Sequence, residues 1–344
     1  MAIPSDIVKY FAMPYPDWIS PSSGQQQPKS LWQLVQDYGY HDRTDEILPV
    51  VQQLVVQGIL IPAGRTSYSE GKPPWNERYF CPSYDPVKAS YGEYDFAAYG
   101  FPEIYNKFKD AVKPVVVKKA DHIGGKDEDI GTGFWLERGL FVTARHCIWN
   151  MREINIIGWN PSDAALSKIW VSSDKNIDLA ILKFTKNPFP KVHGFKYKDA
   201  EILDSVLTMG YPQLPGFDNV LVTENAQISG HLKSTTGQIV TEAKAYWEKD
   251  QEYFLINARV KGGNSGCPVI TNRGYVAGVV VQGSAGENLT PDIMGYGAAV
   301  TFTTLDRFIK GCLTTPNSDV EEIPFKVTEQ GFVSTFNHLG FTKK

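Results

Sequence analysis

Short apolar runs separated by turn residues from about 113 to 312, and a helical periodicity confined to residues 30–59, predict a mainly β fold with an N-terminal helical module. A length of 344 residues, 42% of them hydrophobic and 12% aromatic, suffices for two domains, each with its own core. The chain divides by pattern into 1–65, a helical and possible winged-helix-like module; 66–112, an aromatic-rich connector; 113–312, the β domain; and 313–344, a polar tail.

In the module, Leu31, Leu34, Val35 and Tyr38, then Ile47, Val50, Val51, Leu54 and Val55, recur at spacings of three and four. Thr44-Asp45-Glu46 starts the second helix, Gly58 ends it, and Ile59-Leu60-Ile61-Pro62-Ala63-Gly64 follows as a short strand and turn. Two helices and a strand resemble a winged helix or a small peptide-clasp domain; a helical module that only packs on its neighbour gives the same pattern. The first eighty residues hold six Lys/Arg (Lys9, Lys29, Arg43, Arg65, Lys72, Arg78) against eight Asp/Glu, and the whole chain carries a net charge of -4. Phosphate binding needs concentrated cations, so no nucleic-acid partner is expected, and a regulatory protein partner is the reading left for this module.

In the connector, Gly71, Pro73-Pro74 and Pro82 mark irregular chain. Tyr84, Tyr91, Tyr94, Phe96, Tyr99, Phe101, Tyr105 and Phe108 are expected to pack rather than to stack on bases, and 102–112 reads as a short helix. Strands are expected at 115–117, 133–136, 140–143, 154–157, 169–171, 179–184, 206–208, 254–256 and 276–281, with a closing helix at 303–312. Four cysteines (Cys81, Cys147, Cys267, Cys312) are too few for a disulfide framework. The N-terminus, interrupted by Asp6, Lys9 and Asp17, lacks the apolar core of a secretory signal, and no run approaches the roughly 20 apolar residues of a membrane span. A soluble, reducing, cytoplasmic setting without membrane contact is therefore expected.

Three segments carry chemistry. Ser265 lies in Gly262-Gly263-Asn264-Ser265-Gly266-Cys267-Pro268-Val269. A serine hydroxyl is a weak nucleophile unless a base takes its proton and donors hold the resulting oxyanion. The flanking glycines permit a tight turn in which the amides of Gly263 and Ser265 meet at one point, although such a loop also serves as a plain turn. His146 ends Gly131-Thr132-Gly133-Phe134-Trp135-Leu136-Glu137-Arg138-Gly139-Leu140-Phe141-Val142-Thr143-Ala144-Arg145-His146-Cys147, a hairpin that aims the imidazole just past a strand. Asp178 heads the apolar run Leu179-Ala180-Ile181-Leu182, where a half-buried carboxylate needs a donor such as an imidazole N–H. Asp174, in a polar turn, is expected to be solvated.

Thr143-Ala144-Arg145-His146-Cys147, Asp178-Leu179-Ala180-Ile181-Leu182 and Gly263-Asn264-Ser265-Gly266 resemble the signature segments of trypsin-like serine peptidases, in the order His, Asp, Ser. Gly210-Tyr211-Pro212 and 278–283 resemble further segments of that family, and the resemblance covers about 113–312. It implies a chymotrypsin-like double six-stranded β-barrel and a serine endopeptidase acting through an acyl-enzyme, with no metal or organic cofactor. By the resemblance Ser265 is the nucleophile, His146 the general base and Asp178 its orienting partner, with the amides of Gly263 and Ser265 as the oxyanion hole. Val281, Gln282 and Gly283 are the backbone edge that pairs with a protein or peptide substrate. The alternative is a protease-fold binding or scaffold protein with a latent site.

Several residues depart from the digestive members. Asn264 stands where an Asp pairs with a freshly cut N-terminus, and no activation segment precedes the barrel. The pattern is closer to the HtrA-type and bacterial intracellular branch, without room for a PDZ domain after residue 312. Cys267 replaces a second glycine, Arg145 a small residue, and the usual disulfide partner of Cys147 would stand near Gly131. Cys147 is read as a reduced thiol and Cys267 as a packed thiol rather than a redox group. Arg259, Val260, Val281, Gly283 and Gly297 are the candidate specificity residues; a small apolar side chain is favoured, with an acidic one through Arg259 as the alternative.

Overall fold

A computed structural model describes residues 4–13, 28–66, 71–119, 128–149, 151–174, 177–212, 231–244, 252–260, 262–281, 296–314, 319–329 and 331–334. The chain divides into two compact units, Met1–Ile104 and Tyr105–Lys344.

The first unit orders its elements as α1 (Pro4–Ala12), β1 (Lys29–Ser30), α2 (Leu31–Tyr38), α3 (Thr44–Val56), β2 (Ile61–Arg65) and β3 (Glu77–Phe80), with the antiparallel sheet order β1-β3-β2. Ser30 starts α2 as a capping box: its hydroxyl accepts the Gln33 N–H at 3.2 Å and the Gln33 side-chain carbonyl accepts the Ser30 N–H at 2.9 Å. The apolar stripes bury Leu31, Leu34, Ile47, Val51 and Leu54, and α1 adds Ile7, Val8 and Phe11 to the same core. The central strand β3 comes from the stretch read as a connector. That stretch continues as α4 (Pro86–Tyr91), α5 (Glu93–Tyr99) and α6 (Phe101–Phe108), and Tyr94 stacks on Tyr84 and joins the α1–α3 core. The outer face of α3 exposes Asp45, Glu46, Pro49, Gln52 and Val56, with no cation among them, and Arg43 before it is paired to Glu46 at 2.7 Å.

The second unit is a chymotrypsin-like pair of β structures. Its first half holds β4 (Val112–Lys119), β5 (Glu128–Leu136), β6 (Leu140–Thr143), β7 (Met151–Ile156), β8 (Leu166–Ser172) and β9 (Ala180–Phe184), in the order β7-β4-β5-β6-β9-β8. Its second half is a closed barrel, β10-β11-β12-β15-β14-β13, built from β10 (Ser205–Gly210), β11 (Lys233–Lys244), β12 (Glu252–Ile256), β13 (Pro268–Thr271), β14 (Val276–Val281) and β15 (Gly297–Thr301), followed by α7 (Phe302–Leu313). Among the described residues each half has the expected six strands, and hydrogen bonding closes only the second.

In the first half, the outer strands pair with C-terminal segments. β16 (Val320–Glu322) adds to β8, and β18 (Phe332–Ser334), itself paired with β17 (Phe325–Val327), adds to β7. Phe332 is fully buried and its ring lies 6.2 Å from that of Trp159. Phe195, on the chain between the halves, stacks on Phe108 at 4.3 Å and meets Phe134 edge-on at 6.0 Å. The second barrel closes over Val206, Ile239, Phe254, Ile256, Val269, Val280 and Ala299.

Candidate active site

The site lies between the two halves. β6 runs from Leu140 to Thr143 with every residue buried, so the strand is held rigidly, and the 3-10 turn Arg145–Cys147 directly after it carries His146. Asp178 sits two residues before β9, which pairs with β6 so that Thr143 faces Ala180. This register brings the two side chains together. His146 Nδ1 lies 2.6 Å from one oxygen of Asp178, and the other oxygen accepts the His146 backbone N–H at 2.9 Å. Both oxygens of the carboxylate therefore bond to one residue, which sets the ring orientation. The His146 side chain is 46% exposed and that of Asp178 20%.

Desolvation pulls the His146 pKa down. Hydrogen bonding to the Asp178 carboxylate and to the Cys147 thiol, with their charges, outweighs it and leaves the pKa above the ordinary 6.5. Arg145 lies beside this pair with its guanidinium 4.2 Å from the Trp149 ring centre. Burial lowers the Arg145 pKa, opposed by Asp178, Glu321 and Asp174. Asp174 is exposed, as its polar turn predicts.

Ser265 belongs to a buried loop on the second barrel. The loop is pinned on every side: Gly266 N–H donates to Val280 O at 2.7 Å, Cys267 N–H to Asn264 O at 2.9 Å, and Thr132 N–H to Ser265 O at 2.8 Å. Gly263 and Gly266 take φ of 93° and 85°, in the left-handed region that favours glycine. Among the described residues the backbone N–H groups of Gly263 and Ser265 meet no protein acceptor, and no hydrogen bond joins the Ser265 hydroxyl to His146.

The four cysteines are free and buried. A Cβ built at Gly131 would lie 2.3 Å from Cys147 Sγ, so the position that the resemblance assigns to a disulfide partner is indeed beside this thiol, and glycine occupies it. Burial raises the Cys267 pKa, which suits a packed thiol. Among the candidate specificity residues, Val260 contacts Gly297, where an added Cβ would lie 2.5 Å from Val260 Cγ2. Val281 is buried and pairs with Ala298. The Arg259 side chain is exposed, and its carbonyl accepts the Thr235 hydroxyl at 3.1 Å. Gln282 and Gly283 lie outside the described residues. Among the described residues there is no cluster of three metal-ligating side chains and no helix long and apolar enough to cross a membrane.

Sequence reading passed over Thr132. Its buried hydroxyl donates to Gly263 O at 2.7 Å and accepts the Tyr211 N–H at 3.0 Å. Its place next to two glycines was the available signal.

Residues 131–279, which contain His146, Asp178 and Ser265, match the trypsin-like peptidase domain family. No curated protein matches the sequence. Similar solved structures include an HtrA-type protease with a bound tripeptide, 17% identical over 62% of this chain and 63% of that one, with a TM-score of 0.44. A protease from M. tuberculosis in its active form is 20% identical over 63% and 88% of the two chains, also at 0.44. A serine endoprotease from Yersinia pestis is 19% identical over 61% and 65%, at 0.41. The chain thus spans less than two thirds of the HtrA-type and Yersinia proteins.

Proposed function

From the trypsin-like peptidase domain at residues 131–279, we propose that the chain is a serine endopeptidase working through Ser265, His146 and Asp178. The observation that carries this reading is the double hydrogen bond from His146 to Asp178, at 2.6 and 2.9 Å, beside a serine in a tightly pinned loop. In the proposed cycle His146 Nε2 takes the Ser265 proton as Oγ attacks the scissile carbonyl, and the amides of Gly263 and Ser265 hold the oxyanion. His146 then gives its proton to the leaving amine. Water, deprotonated by the same imidazole, releases the acyl group from Ser265. Asp178 keeps the proton on Nδ1 and stabilises the imidazolium.

The substrate is a protein or peptide bound in extended form along the end of β14. The acidic outer face of α3 supports a protein rather than a nucleic-acid partner for the first unit. The buried free thiols support a reducing compartment, the cytoplasm.

A fluorophosphonate probe tests the reading. Wild type is expected to take up one adduct and Ser265→Ala none; labelling of both would place the nucleophile elsewhere. The missing Ser265–His146 hydrogen bond supports a second reading, a binding protein with a latent site. That reading expects peptide binding without labelling or hydrolysis.

For specificity, a peptide library is expected to show preference for a small apolar side chain before the cleaved bond. Arg259→Ala is then expected to change kcat/KM by no more than about twofold, as for an exposed side chain. A preference for acidic residues that disappears in Arg259→Ala would reverse the assignment.

A further inference from the structure

Thr132, on β5 of the first half, fastens the nucleophile loop of the second. Its hydroxyl has one proton and two lone pairs, and both neighbours have fixed roles: the Tyr211 N–H only donates and the Gly263 carbonyl only accepts. The hydroxyl therefore receives from Tyr211 at 3.0 Å and gives its proton to Gly263 at 2.7 Å, in a residue with no solvent exposure. The main chain of Thr132 adds two more ties: its N–H donates to Ser265 O at 2.8 Å, and its carbonyl accepts the Thr143 hydroxyl at 2.7 Å. One residue thus grips the carbonyls of both amino acids whose N–H groups form the proposed oxyanion hole. Tyr211 is itself anchored, its phenol donating to Val112 O at 3.3 Å.

These ties differ in what they secure. The backbone bond to Ser265 O survives any side-chain change. Among the described residues only the hydroxyl bond holds the Gly263–Asn264 peptide, and Gly263, at φ 93°, has a side-chain-free backbone for which other peptide orientations lie close in energy. We propose that Thr132 is a positioning residue for the oxyanion hole, its hydroxyl fixing the Gly263–Asn264 peptide that links the two proposed donor residues, Gly263 and Ser265. The inference rests on the serine-peptidase reading above. It concerns which orientation the loop holds; Thr132 itself does not touch the substrate.

Thr132→Val keeps the shape and removes the hydroxyl, while Thr132→Ser keeps the hydroxyl. Steady-state cleavage of a peptide substrate, normalised to active sites counted by an acylation burst, is expected to show kcat lowered by about a hundredfold in Thr132→Val, near the low end for loss of an oxyanion donor. KM is expected to stay within about threefold and Thr132→Ser to recover most of kcat. Fluorophosphonate labelling is expected to slow in parallel, because it develops charge on the same oxygen. Unchanged kcat per active site in Thr132→Val, with only fewer active sites or a lower Tm, overturns the proposal and leaves a structural role. If Thr132→Val does not fold, Thr132→Ala carries the same expectations and the same refutation. A wild type that neither cleaves nor labels overturns the peptidase reading and this inference together; an active wild type with an unaffected variant overturns this inference alone.

Discussion

Asp178→Asn is expected to lower kcat by about four orders of magnitude while leaving KM within a few-fold. The carboxylate accepts two bonds from His146, from Nδ1 at 2.6 Å and from the backbone N–H at 2.9 Å. An asparagine has one acceptor oxygen for these two donors, and its NH2 group placed against Nδ1 would favour the tautomer with the proton on Nε2. That tautomer cannot receive a proton from Ser265. The same substitution changes the pH profile. His146 acts as a base only when neutral, and its pKa lies above 6.5. Activity is therefore expected to be low through neutral pH and to rise as pH climbs toward the raised value, about 11. Removing the carboxylate takes away a cause of the rise, so the residual activity of Asp178→Asn is expected to have its midpoint at lower pH. Measuring kcat/KM from pH 5 to 12 for both proteins checks the sign; a midpoint that does not fall shows that Asp178 is not what sets the titration.

Gly266→Ala is expected to be among the most damaging single methyl additions to the chain. Its φ is 85°, a region costly for any residue with a Cβ. The added carbon would lie 2.1 Å from Thr132 O, 2.6 Å from Thr143 Oγ1 and 2.7 Å from Ala144 N. Two of these three are backbone atoms, one in β5 and one between β6 and the turn that carries His146, and all belong to the first half. The methyl would force the nucleophile loop off β5 and β6. A loss on the order of 4 kcal/mol or more is expected, the range reserved for backbone strain and overpacking combined. At about 2–4 °C per kcal/mol for a domain of this size, Tm should fall by at least about 8 °C. Thermal unfolding of the purified variant checks this; a shift under about 2 °C would show that the two halves separate readily at this loop.

The candidate site could be proposed from sequence because the chemistry it would need is local in sequence. His146, Asp178 and Ser265 each sit in a segment whose neighbours already restrict the backbone, and the peptidase resemblance follows from three such segments in order. β6 and β14 were legible for a related reason: both are apolar on two faces and bounded by turns, Leu140–Thr143 and Val276–Val281. β11 gave no such signal. Of its residues with a described side chain only Ile239 is buried, so Lys233–Lys244 reads as polar loop although it pairs along most of its length. β15, Gly297–Thr301, is too poor in bulky residues to register. The three C-terminal strands are short, and β16 and β18 take their order from partners more than a hundred residues away, as with Phe332 against Ile154. β3 was hidden by the prolines and glycine before it. What Thr132 does depends on a contact with Gly263, 131 positions on, which no local pattern announces.

The C-terminal strands also bear on how the molecule keeps to itself. A sheet that does not close has two rims of unsatisfied backbone, each a template for another chain. Here β16 covers the rim at β8 and β18 the rim at β7, and the outermost strands left are three residues each, β16 with Glu321 at its centre and β17 with Lys326 at its centre. Short, charged rims of this kind discourage edge-to-edge growth. Clipping the chain after α7 would uncover both rims at once while removing none of the candidate catalytic residues, so a trimmed molecule would gain two adhesive borders.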